Sequence, residues 1–314
     1  MKTTDTKILD WLTEEKDPDP RYLALRDLIP GVSKAETEVA RKIAHEEGRI
    51  SKILDKMDEE GWWARPGPGY TPKYKSTVWA LMLLAQLGAR IELDDRIRVG
   101  CEYVLANNMT KHHQFSAQGT PSYNIDCLQG NLCWALTELG FEDPRLEAAY
   151  DWMARSVTGE SIAPKTEKKA DIRYYAYNCG PTFACGPNGS LPCGWGAAKV
   201  MLAFSQLPAS KRTPLIKRAI DHGVEFIFSI DPATGQYPHG LAPKPSSNWW
   251  KFGFPVFYVT DLLQIAEAMA GLGYRNDSRL ASTIALIESK QNEDGSWNLE
   301  YDYAGKTWRS YGKK

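Results

Sequence analysis

The chain has 314 residues, of which 43% are hydrophobic and 25% are charged, and its net charge is −1. This composition is typical of a globular protein with a large core, and the charge argues against nucleic acid or an anionic membrane as partner. The N-terminal segment is polar, and no apolar run approaches the roughly 18 residues of a membrane span. We therefore expect a cytoplasmic protein without a membrane span, whose cysteines are reactive or metal-bound rather than paired in disulfides.

The N-terminal region predicts short helices. Two short helices are expected within residues 5–30. Ser33 is a suitable N-cap and Glu36 follows three residues later, which is the capping-box pattern. A third helix is therefore expected to run to about Glu47, where Gly48 ends it.

Four repeats follow, each with an almost wholly apolar segment, a tight turn and an amphipathic segment. A helix that is apolar all round must be buried, whereas a helix with one apolar stripe lies outside. The alternation predicts an all-α fold, an α/α toroid of about six helical hairpins whose inner and outer rings surround a central cavity. The apolar segments are 76–88, 128–140, 194–207 and 256–273, and their partners start near Asp94, Pro144, Pro214 and Asp277.

The connections between these segments are unequal. Each inner helix reaches its outer partner through about 3–6 residues, whereas the return connections 108–123, 159–192 and 231–254 are long. Long loops in a compact domain are usually functional. They all lead to the start of an inner helix, so they share one rim, where we expect the functional residues. The chain is treated as one domain, with 1–48 as N-terminal helices joining the ring and 49–314 as the toroid repeats.

A short motif recurs after the outer helices. Gln291, Gly295 and Trp297 resemble the repeat of squalene-hopene and oxidosqualene cyclases, in which glutamine is followed by Gly-x-Trp. Weaker copies are Gly61-Trp62-Trp63 and Gly235-Gln236-Tyr237. The physical interpretation is structural: the aromatic side chain packs over a helix end, and polar groups satisfy orphan backbone atoms there.

This resemblance covers about 50–300 and implies the toroid of terpenoid cyclases and protein prenyltransferases. The segments CLQGN at 127–131, CGWG at 193–196 and FGFPVFY at 252–258 are similar to the short prenyltransferase/squalene oxidase repeat proteins of prokaryotes. Class II cyclases need an Asp-x-Asp-Asp acid, and the nearest match is Glu92-Leu93-Asp94-Asp95. This segment opens an outer helix, where acidic residues act as caps. We therefore do not expect a class II squalene cyclase.

Six cysteines fall into two groups. Cys101 and Cys133 lie within apolar helices and are predicted core residues. The others belong to the functional rim, where a helix N-terminus lowers the pKa of a thiol and favours a thiolate. These rim cysteines are Cys127, Cys179, Cys185 and Cys193.

Protein prenyltransferases hold zinc through aspartate, cysteine and histidine at this end of the toroid. Asp126-Cys127 is similar to their Asp-x-Cys arrangement but lacks the spacer, and His112, His113 and His239 lie on the same rim. The resemblance implies zinc, with Asp126 and Cys127 as catalytic candidates. The alternatives are a catalytic thiol pair without metal, or buried cysteines. The predicted ligands are Cys127, Cys179, Cys185, Cys193 and His113.

Other rim residues have two interpretations. Asp261, near the start of the fourth inner helix, is either a second catalytic carboxylate or a cap for helix N–H groups. The neighbouring aromatic residues either contact an apolar ligand, which we favour, or plug the ring. The predicted substrate-binding residues are Trp195, Trp249, Trp250, Phe252, Phe254 and Tyr258.

The sequence thus predicts an enzyme that acts on an apolar, isoprenoid-like small molecule, with zinc-bound or activated thiolates at the cavity mouth. The alternative is a non-catalytic ligand- or protein-binding toroid whose cysteine and zinc cluster is structural. A third hypothesis, a carbohydrate-active toroid, needs paired carboxylates, for which Asp126 and Asp261 are the only inner-helix-start pair in the sequence. The reaction and the oligomeric state stay open.

Overall fold

The computed structural model describes residues 6–174, 180–240, 242, 244–303, 305–309 and 311–312. This part of the chain is mostly helical and contains one small two-stranded sheet, in agreement with the predicted all-α class. No helix in these ranges is long and apolar enough to cross a membrane.

The chain begins with four short helices. Ser33 caps the third of them, as predicted, because its hydroxyl accepts a hydrogen bond of 3.1 Å from the Glu36 N–H. Tyr22, Leu25 and Ala40 form a small apolar cluster between the second and third helices. The helices are α1 (Thr6–Leu12), α2 (Pro18–Asp27), α3 (Lys34–Glu47) and α4 (Arg49–Leu54).

Each predicted repeat forms a pair of helices. Helices α5 and α7 begin within two residues of the predicted positions, and Pro144 and Pro214 occupy first-turn positions of their helices. The pairs are α5 (Thr77–Gln86) with α6 (Asp95–Asn107), α7 (Asp126–Glu138) with α8 (Pro144–Thr158), α9 (Gly194–Gln206) with α10 (Pro214–Ile227), and α11 (Leu262–Met269) with α12 (Ala281–Ser289).

The fourth apolar helix begins at Leu262, six residues later than residue 256, where it was predicted to start. The side chain of Gln86 accepts from the Val256 N–H at 2.6 Å and donates to the Val256 carbonyl at 2.7 Å, so neither group is available to a helix. The Asp261 carboxylate then accepts from the Gln264 N–H at 3.2 Å and fixes the helix start.

Burial follows the predicted division into inner and outer helices. Residues 78–85 of α5 are all buried, whereas Arg96, Arg98 and Glu147 on α6 and α8 are exposed. Asp94 accepts from the Arg96 N–H at 3.0 Å, so the segment that resembles the cyclase acid is a helix cap, as predicted.

The apolar helices pack side by side in the order α5, α7, α9 and α11, and the amphipathic helices pack against them. The approach of α7 to α9 is close: a Cβ atom at Gly130 would lie 2.4 Å from the Lys199 carbonyl. One turn earlier, a Cβ at Gly196 would lie 3.1 Å from the Asp126 Cβ. The two helices therefore run parallel, and both begin at the same end of the bundle.

The recurring motif has the structural role that the sequence predicted. In each copy the aromatic side chain donates to the carbonyl ten residues earlier, in the last turn of the preceding helix. This satisfies one of the carbonyls that a helix end leaves without an intrahelical partner. The pairs are Trp63 with Ile53 (2.8 Å), Tyr237 with Ile227 (2.7 Å) and Trp297 with Ile287 (2.8 Å).

Candidate functional site

A cavity of about 440 Å³ lies where α7 and α9 begin. Its walls come from the starts of these two helices, a hairpin that precedes α9, the segment after α10, and loop residues before α5 and α11. Its volume falls in the range that accommodates a drug-sized ligand. The aromatic side chains on its walls are Tyr70, Trp195, Tyr237, Trp249 and Tyr258.

Three of the predicted rim cysteines line this cavity. Cys127 is the second residue of α7, Cys193 is the N-cap of α9, and Cys185 lies on the hairpin between them. Cys179 lies outside the described residues. Cys101 and Cys133 are buried in the core, as predicted.

The hairpin brings two of these thiols together. Strands β1 (Ala184–Cys185) and β2 (Leu191–Pro192) are antiparallel, with Cys185 opposite Leu191. The Cys193 N–H donates to the Phe183 carbonyl at 2.9 Å, which extends the pairing by one residue. Cys185 and Cys193 are therefore diagonal neighbours on one face, and their thiols are hydrogen-bonded.

Burial opposes ionisation of these thiols. It raises the pKa of Cys127 to about 12, with smaller contributions from Cys185 and Asp126. The hydrogen bond with Cys185, and then burial, raise the pKa of Cys193. The expectation that the helix N-termini would lower these pKa values is therefore not met, because desolvation outweighs the helix dipole. Cys127 and Cys193 are therefore neutral thiols at neutral pH.

The cavity has sulfur donors of the kind that zinc prefers. Among the described residues, however, no three His, Cys, Asp or Glu side chains are arranged to hold a metal ion. His113 lies in an exposed turn and does not line the cavity, whereas His239 does. The donor chemistry therefore fits zinc, but the arrangement of the described donors does not yet form a coordination sphere.

The two candidate carboxylates occupy different places. Asp126 is the first residue of α7, is 1% exposed and lies on the cavity wall beside Cys127. Asp261 does not line the cavity. It is the N-cap of α11, in line with the capping alternative, and burial raises its pKa.

The aromatic residues that were predicted to bind substrate also fall into two groups, one on the cavity wall and one away from it. Trp195, Trp249 and Tyr258 line the cavity, but Trp250, Phe252 and Phe254 do not. These three residues instead hold the loop before α11 in place. The Trp250 Nε1 donates to the Ala233 carbonyl at 2.8 Å, the Lys290 ammonium lies 4.6 Å from the Phe252 ring centre, and Phe254 packs edge-on against a C-terminal tyrosine.

Sequence analysis missed several residues of the cavity mouth. Tyr70 and Lys73 lie on a Pro- and Gly-rich loop that has no periodicity to reveal which side chains face inward. The Lys73 ammonium lies 4.5 Å from the Tyr258 ring centre and 5.6 Å from that of Tyr70. Tyr237 was assigned only to the structural motif, yet its ring also forms part of the wall.

A buried lysine close to the cavity was also missed. Lys199 is 2% exposed in the middle of α9, and its ammonium donates to the Gln264 side-chain carbonyl. Burial lowers its pKa to about 8, while the nearby Asp261 carboxylate opposes this shift. A single lysine inside the apolar run GWGAAKVMLAF was a visible signal, because a buried charge is costly.

Comparison with protein-family models finds no match to this chain, and no curated protein is significantly similar to it. The resemblance described from the sequence therefore rests on the repeats and motifs themselves.

Proposed function

We propose that this protein is an α/α toroid of the terpenoid cyclase and protein prenyltransferase type, and that it is an enzyme acting on an apolar small molecule. The side-by-side order of α5, α7, α9 and α11 supports this architecture, as does the recurring aromatic contact at helix ends. The aromatic walls of the cavity support an apolar, isoprenoid-like ligand.

The observation that carries the proposal is the presence of three thiols on the wall of an aromatic cavity. A ligand in this cavity would contact Cys127, Cys185 and Cys193 directly. Asp126 precedes Cys127 in the chain and lies on the same cavity wall, and its carboxylate would serve as the base when a ligand or metal favours the thiolate. The remaining wall is mostly apolar, and its aromatic side chains would surround an apolar ligand.

Zinc is part of the proposal. Cys127, Cys185 and Cys193 would hold the ion; Cys179, the fourth cysteine predicted as a ligand, lies outside the described residues. His239 is the described histidine that lines the same cavity. When bound, zinc would supply a Lewis acid or stabilise a thiolate at neutral pH. The chain's own residues would enclose the ligand and orient it toward the sulfur atoms.

The hairpin supports a second function. Two of the three thiols lie on or directly after β1 and β2, and they are hydrogen-bonded to each other. A zinc ion or the thiols alone would then only pin this loop over a non-catalytic binding cavity. The number of protein ligands separates the two functions, because four favour a structural site and three with water favour a catalytic one.

Ligand binding tests the proposal. Farnesol and undecan-2-ol should quench tryptophan fluorescence saturably and raise the melting temperature. Trp249→Ala should weaken binding roughly tenfold, because it removes a large apolar contact. Trp250→Ala is the matched control, since the neighbouring Trp250 does not line the cavity, and it should bind almost normally. Absence of saturable binding to the wild-type protein would refute an apolar-ligand function.

A further inference from the structure

The charged residues of the cavity wall are unevenly placed. Lys73 and Lys244 both line the cavity and are exposed, so they lie at its mouth. Among the described wall residues, Asp126 supplies the only carboxylate, and it is 1% exposed at the buried start of α7. The mouth is therefore cationic, whereas the buried part of the wall is mostly apolar and aromatic.

Contacts with the cavity wall hold the Lys73 side chain. Its ammonium lies 4.5 Å from the Tyr258 ring centre and 5.6 Å from that of Tyr70, and both rings line the cavity. Burial raises the pKa of the Cys127 thiol, and Lys73 is close enough to oppose part of that shift. The charge of Lys73 therefore acts on the inside of the cavity as well as on the solvent.

The two lysines of the mouth lack acidic partners. Neither ammonium forms an ion pair with a carboxylate in the part of the chain that the structure describes, whereas Lys290, for example, pairs with Glu300. Because Lys73 and Lys244 border one cavity of about 440 Å³, an anion at its mouth would be attracted to both. The apolar part of the same molecule would lie against the aromatic wall.

We propose that Lys73 and Lys244 hold the carboxylate of an amphiphilic ligand whose apolar chain fills the cavity. This inference rests on the proposed function, because it assigns a polar group to the ligand of the same cavity. Each ammonium donates to a carboxylate oxygen, and these charge-assisted hydrogen bonds offset the hydration that the carboxylate loses on binding. The chain then extends from the mouth toward the thiols.

The charge of the wall favours a carboxylate over other polar groups. Two ammonium groups and the Asp126 carboxylate leave an excess of one positive charge, to which His239 adds only when it is protonated. A single carboxylate balances this excess. A phosphate monoester carries about 1.5–2 negative charges and three acceptor oxygens at pH 7, which exceeds it. An alcohol brings no charge to the two cations.

The experiment compares three ligands of similar length: decanoate, decan-1-ol and decyl phosphate. Tryptophan fluorescence titrations at pH 7 and low ionic strength give the three affinities. Wild-type protein should bind decanoate roughly tenfold more tightly than decan-1-ol, as expected for two partly exposed charged donors, and should bind decyl phosphate less tightly than decanoate. Added salt should reduce the preference for decanoate, because it screens exposed charges.

Variants of the mouth assign the preference to the two lysines. Lys73→Met should weaken decanoate binding about threefold. The double variant Lys73→Met with Lys244→Met should lose the preference, while its affinity for decan-1-ol stays within about threefold of wild type. Lys75→Met is the matched control. Lys75 lies on the same loop with its ammonium 5.9 Å from the Trp308 ring centre, but it does not line the cavity, so this variant should keep the preference.

The outcomes separate this inference from the proposed function. Decanoate preference that persists in the double variant, or tighter wild-type binding of decyl phosphate than of decanoate, would overturn the inference. Equal wild-type binding of decanoate and decan-1-ol would overturn it too, while leaving an apolar cavity in place. Failure of all three ligands to bind would overturn both. Should the double variant not bind decan-1-ol, the wild-type salt dependence decides: a preference that salt leaves unchanged would overturn the role of the lysines.

Discussion

Cys185 and Cys193 have hydrogen-bonded thiols although they are diagonal rather than opposite residues of one hairpin. Diagonal Cα atoms are about 7–8 Å apart, whereas a disulfide needs about 4.4–6.8 Å. The hairpin register therefore favours two separate thiols over a disulfide. This leaves both sulfur atoms available to a ligand or metal ion in the cavity, together with Cys127.

Slow alkylation of Cys127 is the first prediction. Its pKa of about 12 leaves almost no thiolate at pH 8, so iodoacetamide should modify it at least about 100-fold more slowly than it modifies glutathione. The rate should rise about tenfold per pH unit between pH 8 and 10, because the neutral thiol loses its proton as pH rises. Mass spectrometry of the Cys127 peptide measures this rate in the folded protein after EDTA has removed any bound metal, because the pKa of about 12 is that of the metal-free thiol. A fast, pH-independent reaction would show that the thiolate is already present.

Metal content tests the zinc proposal. Purified protein should contain about one zinc per chain, held by the cavity thiols. The double variant Cys127→Ser with Cys193→Ser should lose it, whereas Cys101→Ala, which changes a fully buried core cysteine, should keep it. Elemental analysis after gel filtration gives the stoichiometry. Zinc that persists in the double variant would contradict the proposal that these thiols bind it. Wild-type protein that takes up no zinc would contradict the proposal that zinc takes part in the mechanism.

The sequence predicted the helices better than the cavity. Hydrophobic periodicity identified both members of each repeat, because an inner helix must bury all its faces. It misplaced the start of α11, since the hydrogen bonds of Gln86 to Val256 join segments that are distant in sequence. Sequence periodicity carries no information about such a contact.

The cavity residues were harder to predict because most lie on loops. Adjacent tryptophans illustrate the problem: Trp249 lines the cavity while Trp250 turns away to the Ala233 carbonyl. The segment has no helical or strand spacing, so the sequence does not show which of the two tryptophans faces the cavity. Lys199 was visible as a single charge in an apolar helix, but its partner Gln264 lies on another helix, and only the packing of α9 on α11 joins them.

The aromatic contacts at helix ends should differ in their contribution to stability. Trp63 is fully buried and donates to the Ile53 carbonyl, so Trp63→Phe should lower the free energy of unfolding by about 1–3 kcal/mol, since that carbonyl loses its partner. Trp297 makes the equivalent bond to Ile287 but is 43% exposed, so Trp297→Phe should cost less than about 1 kcal/mol. Urea unfolding of both variants compares the two copies. Equal losses would contradict the role of burial.

The pH dependence of stability should show the titration of His45, which packs α3 against the turn before α6. Its Nε2 accepts a hydrogen bond of 3.1 Å from the Arg90 N–H, and burial lowers the pKa of His45 from 6.5 to about 4. The folded state therefore favours the neutral ring. The resulting stability is fully present above pH 6.5 and is lost as pH falls toward 4, because the unfolded chain binds the proton first.

Replacement of His45 isolates this effect. The loss between pH 6.5 and 4 should be at most about 3 kcal/mol. His45→Gln retains a side-chain acceptor for the Arg90 N–H but cannot titrate, so its stability should fall less over this range. His222→Gln, which changes an exposed histidine of α10, should follow the wild-type curve. Urea unfolding at pH 4.5, 5.5 and 7 gives the three curves, and parallel curves for wild type and His45→Gln would show that His45 is not the titrating group.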